Sequence, residues 1–186
     1  MNINDILHEI RLKSITEREK GGDFERLMKL WFLTDPRYSN LEKVWLWEEF
    51  PCRRDFGGKD LGIDLVARTE YGDYWAIQCK CYAEDATIDK AAVDSFLANA
   101  SRVFKDPDTF QTREFSNLIW VQTSHKRWGT NAETAIQGLT SPSTVSHSMT
   151  LKSPRWIVAD ILQDFSVDID LQKDAEENLT GIVNII

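Results

Sequence analysis

Two apolar segments joined by a five-residue turn constrain the fold of this chain more than any other feature. The first covers residues 62–68, the turn covers residues 69–73, and the second covers residues 74–81. Apolar and β-branched residues bounded by turn residues predict a pair of antiparallel strands. A turn centred on its middle residue then sets Asp64 directly opposite Gln78, with their Cβ atoms roughly 5 Å apart.

Other segments predict the elements around this hairpin. Residues 118–123 are almost continuously apolar, which is typical of a buried strand in the middle of a sheet. Helical spacing predicts helices over residues 3–10, over a stretch that ends at Asp35, and over residues 87–104. Weaker patterns predict a strand over 44–50, a loop over 51–59, a helix over 130–138, a strand over 145–151 and a helix over 154–165. This order indicates an α/β fold with an α-β-β-β-α-β core, in which helices flank a mixed central sheet.

The sequence allows two possible starts for the second helix. Thr16 and Glu19 are spaced as a capping box, which favours a helix that begins just after Thr16. Gly21 and Gly22 disfavour a helix interior, so a start at Asp23 is also open.

Strand alternation divides the second segment of the hairpin into two faces. Gln78 and Lys80 share one face with Tyr74 and Ala76, and hydrophobic residues and cysteines occupy the other. We predict that the second face packs in the core, while the first carries a polar row next to Asp64.

This polar row has the groups that phosphodiester hydrolysis needs. A divalent cation neutralises charge on the phosphate and lowers the pKa of the attacking water. Mg²⁺ prefers oxygen ligands, which Asp64, the Gln78 amide and the Cys79 backbone carbonyl can supply. Lys80 would orient the water or help to deprotonate it. Glu25, on the second helix, could reach the same site without binding the metal directly.

Each of these residues also has an ordinary explanation. An Asp at the start of a strand is usually solvated or caps a turn, and Gln-x-Lys on a strand is usually a solvent-exposed face. The register of the hairpin favours the functional interpretation, because it brings the polar pair opposite Asp64.

The net charge of −8 and the isoelectric point near 4.9 disfavour a free-standing DNA-binding protein. Residues 157–186 carry −6 of this charge, so the remaining 156 residues carry only −2. We therefore predict a nuclease domain over residues 1–156, followed by an acidic segment or a linker to the next domain of a larger protein. Candidate phosphate contacts are Arg53, Arg54, Lys59, Lys126 and Arg127.

Two other classes of protein are disfavoured. The chain has no apolar run of the roughly 20 residues that cross a membrane, and its N-terminus lacks a signal-peptide pattern. Its three cysteines match neither a disulfide framework nor zinc-ligand spacing. We expect a reduced, cytoplasmic protein. No phosphate-binding loop motif is present, so we expect no ATP hydrolysis by this chain itself.

Three short motifs resemble the Mrr-type branch of the PD-(D/E)XK nucleases. They are Gly62-Ile63-Asp64, Gln78-Cys79-Lys80 and Phe24-Glu25. Within residues 24–104, the segments RRDFGGKDLGIDLVA and YWAIQCKCYAED further resemble the N-terminal nuclease domain of type ISP restriction-modification enzymes.

The resemblance implies that Asp64 and Gln78 bind a metal, Mg²⁺ or in its place Mn²⁺, that Lys80 is catalytic, and that Glu25 is the helix acid. It also implies cleavage of double-stranded DNA beside helicase, methyltransferase and target-recognition domains of the same polypeptide. Gln78 departs from the Asp or Glu of the wider superfamily, which removes a negative charge and argues against a tightly held second metal. The alternatives are a catalytically inactive module that binds DNA or assists assembly, a junction resolvase, and a modification-dependent nuclease.

Overall fold

A mixed five-stranded sheet organises the part of the chain that the computed structural model describes, namely residues 3–57, 61–83, 86–88, 90–124 and 155–160. The helices are α1 (Ile3–Lys13), α2 (Glu17–Thr34) and α3 (Lys90–Ala100). The strands are β1 (Leu41–Leu46), β2 (Leu65–Thr69), β3 (Tyr74–Lys80), β4 (Phe104–Lys105), β5 (Thr112–Arg113), β6 (Phe115–Gln122) and β7 (Arg155–Asp160).

The order of strands in the large sheet is β1-β2-β3-β6-β7. The first three strands form an antiparallel meander, and β6 and β7 run parallel to β3. Leu65 pairs with Ile77, so the hairpin has the register that the centre of its turn predicts. The mixed sheet flanked by helices, predicted from the sequence, is confirmed.

Helix α2 begins at Glu17 and continues through the two glycines. The Thr16 side chain accepts a hydrogen bond from the Glu19 amide at 3.1 Å, and the Glu19 carboxylate accepts one from the Thr16 amide at 3.0 Å. The predicted capping box is therefore formed, and it decides between the two possible starts. The helix ends at Thr34 and is followed by its C-terminal cap, Asp35, whose carboxylate accepts hydrogen bonds from the side chains of Trp31 and Arg37.

Two hydrophobic cores cover the two faces of β3. One lies beneath α1 and α2 and includes Trp75, Ile77 and Cys79. The other lies beneath α3 and two short 3-10 helices, Trp47–Glu49 and Pro51–Phe56. It buries Tyr74, Ala76 and, beside them, Gln78. The predicted polar row is therefore wrong for most of its length, because elements distant in the sequence fold over that face.

Several boundaries differ from the predicted ones. The strand predicted over 44–50 is Leu41–Leu46, after which the chain turns into the Trp47–Glu49 helix. The loop predicted over 51–59 contains the Pro51–Phe56 helix, which Gly57 ends in a left-handed conformation. The helix predicted over 87–104 is Lys90–Ala100, and Phe104 instead pairs with Arg113 in the β4–β5 hairpin.

The helix predicted over residues 154–165 is wrong at its start, where the chain forms β7. The residues from Arg155 to Asp160 pair in parallel with β6, from Asn117 to Gln122. Hydrogen bonding to β6 therefore decides the structure of this segment, and its weak helical pattern does not. The predicted helix 130–138 and strand 145–151 lie outside the described residues. The predicted boundary after residue 156 stays a prediction, since residues 161–186 also lie outside them.

No helix in the described ranges is long and apolar enough to cross a membrane.

Candidate active site

The ends of β2 and β3 bring together the polar groups of the predicted site. Asp64 precedes β2, and its amide donates a hydrogen bond to the Ile77 carbonyl at 2.9 Å. Its carboxylate oxygen Oδ2 accepts hydrogen bonds from Gln78 Nε2 at 2.5 Å and from the Cys79 amide at 2.7 Å. Asp64 thus lies opposite Gln78 and in direct contact with it.

Lys80 extends the site to the end of β3. Alternation along the strand puts its side chain on the Gln78 face, and its carbonyl accepts a hydrogen bond from the Thr123 amide at 3.2 Å, just beyond β6. Gln78 is 1% exposed, whereas Lys80 and Asp64 are partly exposed. The site therefore passes from a buried amide to groups that solvent and a large substrate can reach.

Glu25 joins this group from α2. Burial raises the pKa of the Cys79 thiol well above its ordinary value, the nearby carboxylates of Asp64 and Glu25 raise it further, and Lys80 opposes them. The charges of three groups of the predicted site therefore act on one neutral thiol. The thiol itself is no candidate nucleophile, because reactivity requires the thiolate.

The oxygen donors at this edge suit a hard divalent cation. They are the Asp64 carboxylate, the Gln78 amide oxygen and the Cys79 carbonyl, which shares the β2 side of the strand with the Cys79 amide. Within the described ranges, no three side chains of His, Cys, Asp or Glu form a metal-binding cluster. A ligand set of one carboxylate, one amide and one carbonyl matches the preference of Mg²⁺ for oxygen, with water completing its shell.

The predicted phosphate contacts are only partly within the described residues. Arg53 is partly buried and Arg54 is exposed, both on the Pro51–Phe56 helix. This helix packs beside β4, where Cys52 Sγ donates a hydrogen bond to the Lys105 carbonyl at 3.1 Å. Lys59, Lys126 and Arg127 lie outside the described residues.

Two basic residues near the site were missed by the sequence reasoning, Arg11 and Lys20. Arg11 Nη2 donates a hydrogen bond at 3.0 Å to the carbonyl of Tyr82, two residues after Lys80. Burial raises the pKa of the Cys81 thiol, and the charges of Arg11 and Lys20 oppose this shift. A local charge count would have found them, because residues 11–20 contain four basic and two acidic residues in a chain of net charge −8.

A groove of about 770 Å³ lies at the opposite end of β2 and β3. The hairpin turn, with Thr69 and Gly72, lines it together with the start of β6. It contains none of the residues of the candidate site, so its size does not bear on the chemistry of that site.

Two comparisons with known proteins found a match to this chain. A restriction endonuclease family model, of the Mrr catalytic type, matches residues 33–155, more than half of the chain. The chain is also similar in structure to an ATP-dependent type ISP restriction-modification enzyme, LlaBIII, bound to DNA. That match has a TM-score of 0.55 and 20% sequence identity, and it covers 100% of this chain and 11% of that chain. A comparison with curated proteins gave no match.

Proposed function

Because this chain belongs to the restriction endonuclease family of the Mrr type, we propose that it hydrolyses phosphodiester bonds of double-stranded DNA at the Asp64 site. The observation that carries the proposal is the direct contact between Asp64 and the Gln78-Cys79 segment, with Lys80 next along the strand. A carboxylate, an amide and an ammonium group on two paired strands are what metal-assisted hydrolysis requires.

The chemistry requires a divalent cation, Mg²⁺ with Mn²⁺ as a substitute, held by Asp64, Gln78 and the Cys79 carbonyl. When bound, the cation neutralises charge on the phosphate and lowers the pKa of a water. The carboxylate of Asp64 supplies the only negative charge among these three ligands. The Cys79 amide and the partly buried setting orient that carboxylate before any ligand arrives.

Lys80 acts on the attacking water and on the phosphate. Its ammonium group lies on the Gln78 face and is partly exposed, so it would orient the water and stabilise negative charge that develops on the phosphate oxygens. Glu25 approaches from α2, where its charge reaches the neighbourhood of Cys79. We propose that Glu25 accepts a hydrogen bond from a water at the site. The family match begins after Glu25, at residue 33, so this role depends on the Phe24-Glu25 resemblance and on the effect of the Glu25 charge on Cys79.

Basic groups beside the site would contact the DNA backbone. Arg11 and Lys20 lie near the end of β3, and Arg53 and Arg54 lie on the Pro51–Phe56 helix, which packs beside β4. Two to four such contacts in a chain of charge −8 support only weak, non-specific binding, with a Kd of roughly 10⁻⁴–10⁻⁶ M. Sequence recognition is therefore assigned to other parts of the protein.

We infer that the chain is the cleavage module of a large restriction-modification enzyme. This proposal is supported by the coverage of the structural match, because the chain spans 11% of the length of the similar type ISP enzyme, which is ATP-dependent and bound to DNA. Helicase-like ATPase, methyltransferase and target-recognition domains would then lie in the same polypeptide and deliver this module to its substrate.

Cleavage of supercoiled plasmid by the 186-residue chain tests the proposal. We expect nicked circles with Mg²⁺ or Mn²⁺ and none with EDTA, because one site activates one water against one phosphate. Asp64→Asn and Lys80→Ala should abolish nicking, whereas Lys43→Ala, an exposed lysine on β1, should not. Failure to nick with either metal would contradict the proposal and favour an inactive module that binds DNA or assists assembly.

A further inference from the structure

Gly62 has a backbone conformation that few other residues adopt. Its φ is +73°, in the left-handed region, two residues before Asp64. Gly57 and Gly72 share this property, with φ of +85° and +82°. A Cβ atom in the left-handed region is strained at any of the three positions.

Gly62 differs from the other two glycines in what surrounds it. A Cβ atom there would lie 3.0 Å from Gln78 Oε1, 3.6 Å from Ser95 Oγ and 3.8 Å from the Phe96 amide nitrogen. A Cβ atom at Gly57 or at Gly72 would meet no heavy atom within 4 Å. Only at Gly62, among these three, does the missing side chain leave room for another residue.

The residue that uses this room is the candidate metal ligand Gln78. Its amide lies between two neighbours, with Nε2 donating to Asp64 and Oε1 beside Gly62. A cation requires the amide oxygen, because the amide nitrogen has no lone pair available for coordination. The amide must therefore turn over before Gln78 can share a cation with Asp64. At 1% exposure, Gln78 has no solvent to turn into.

We propose that Gly62 is a positioning residue that leaves the space in which the Gln78 amide turns over. In the metal-free chain, Nε2 faces Asp64, and in the metal-loaded chain, Oε1 faces the cation and Nε2 faces Gly62. This inference rests on the proposed function, since it concerns the same metal site. It predicts that a single methyl group at residue 62 weakens metal binding without touching a ligand of the metal.

Calorimetric titration of the 186-residue chain with Mn²⁺ tests this inference. Gly62→Ala should raise the Kd for Mn²⁺ by about 10–100-fold, the usual effect of disturbing a residue that supports a metal ligand. Gly57→Ala and Gly72→Ala introduce the same backbone strain and should leave that Kd within a factor of about two of the wild-type value. Equal effects in all three variants would assign Gly62 to folding alone and would overturn the inference.

A second measurement does not depend on the folding of Gly62→Ala. In the wild-type chain labelled with ¹⁵N-glutamine, saturating Mg²⁺ should shift the side-chain amide signals of Gln78, which Gln78→Asn identifies by their loss. Signals that stay unchanged while calorimetry reports Mn²⁺ binding would overturn the inference and leave the metal site standing. A wild-type chain that binds no Mn²⁺ would overturn the proposed metal site, and this inference with it.

Discussion

Replacing Asp64 by alanine or by asparagine separates the contribution of this carboxylate to stability from its contribution to DNA cleavage. The carboxylate accepts hydrogen bonds from Gln78 Nε2 and from the Cys79 amide, on residues that are 1% and 5% exposed. Alanine leaves both donors without this acceptor. A buried donor that loses its partner costs about 1–3 kcal/mol, so the loss of two such bonds in Asp64→Ala should lower the free energy of unfolding by about 2–6 kcal/mol.

Asparagine removes the charge but keeps an acceptor. Its amide oxygen, in the place of Oδ2, can accept hydrogen bonds from both the Cys79 amide and Gln78 Nε2. We expect Asp64→Asn to stay within about 1 kcal/mol of the wild-type free energy of unfolding. Both variants should lose DNA cleavage, because neither retains a carboxylate for the metal.

Thermal unfolding followed by circular dichroism measures this difference. For a domain of this size, about 1 kcal/mol corresponds to roughly 2–4 °C, so Asp64→Ala should lower Tm by about 4–24 °C. Asp94→Ala is the control, since Asp94 forms an exposed i,i+4 pair with Lys90 that contributes about 0.3–0.5 kcal/mol. A Tm for Asp64→Ala equal to that of the wild type would refute the reasoning.

Three further predictions concern catalysis, acid stability and DNA binding. Lys80→Ala should abolish nicking while its Tm stays within a few degrees of the wild-type value; nicking at the wild-type rate would remove Lys80 from the mechanism. Hydrogen bonds from Arg37 hold the pKa of Asp35 below its ordinary value. These bonds therefore stabilise the fold above about pH 4, and their contribution is lost as the pH falls through the lowered pKa. Urea unfolding of wild type and Asp35→Asn should therefore show a smaller acid-induced loss of stability in the variant, and parallel curves would contradict this. Arg11→Gln and Lys20→Gln in the Asp64→Asn background should each reduce the slope of log K against log salt by about 0.9 in fluorescence anisotropy, and unchanged slopes would exclude them as phosphate contacts.

The central hairpin and the second helix were determined by features that are local in the sequence. Counting across a five-residue turn sets the register, and this register brings Asp64 against Gln78. The capping box of Thr16 and Glu19 likewise joins residues only three positions apart. Such signals depend on backbone geometry over a few residues, and distant parts of the chain do not change them.

The tertiary structure alone decided which elements cover the faces of β3 and which strand pairs with the segment from Arg155. The face of β3 that holds Gln78 reads as polar in the sequence, yet α3 and two short helices bury it. The segment from Arg155 reads as a helix, yet it pairs with β6. In both cases the partner is remote in the chain, and hydrophobic burial or strand pairing with that partner outweighs the local pattern.

The candidate site likewise has residues that the sequence predicts and contacts that only the folded chain forms. Asp64, Gln78 and Lys80 follow from the sequence, because one hairpin carries them all. Glu25 was also named from the sequence, whereas the proximity of Arg11 follows from the packing of α1 near the end of β3 and has no counterpart in residue spacing. The contact of Gly62 with Gln78 depends on a left-handed turn that only the folded chain specifies, because a glycine in a sequence allows that conformation without requiring it.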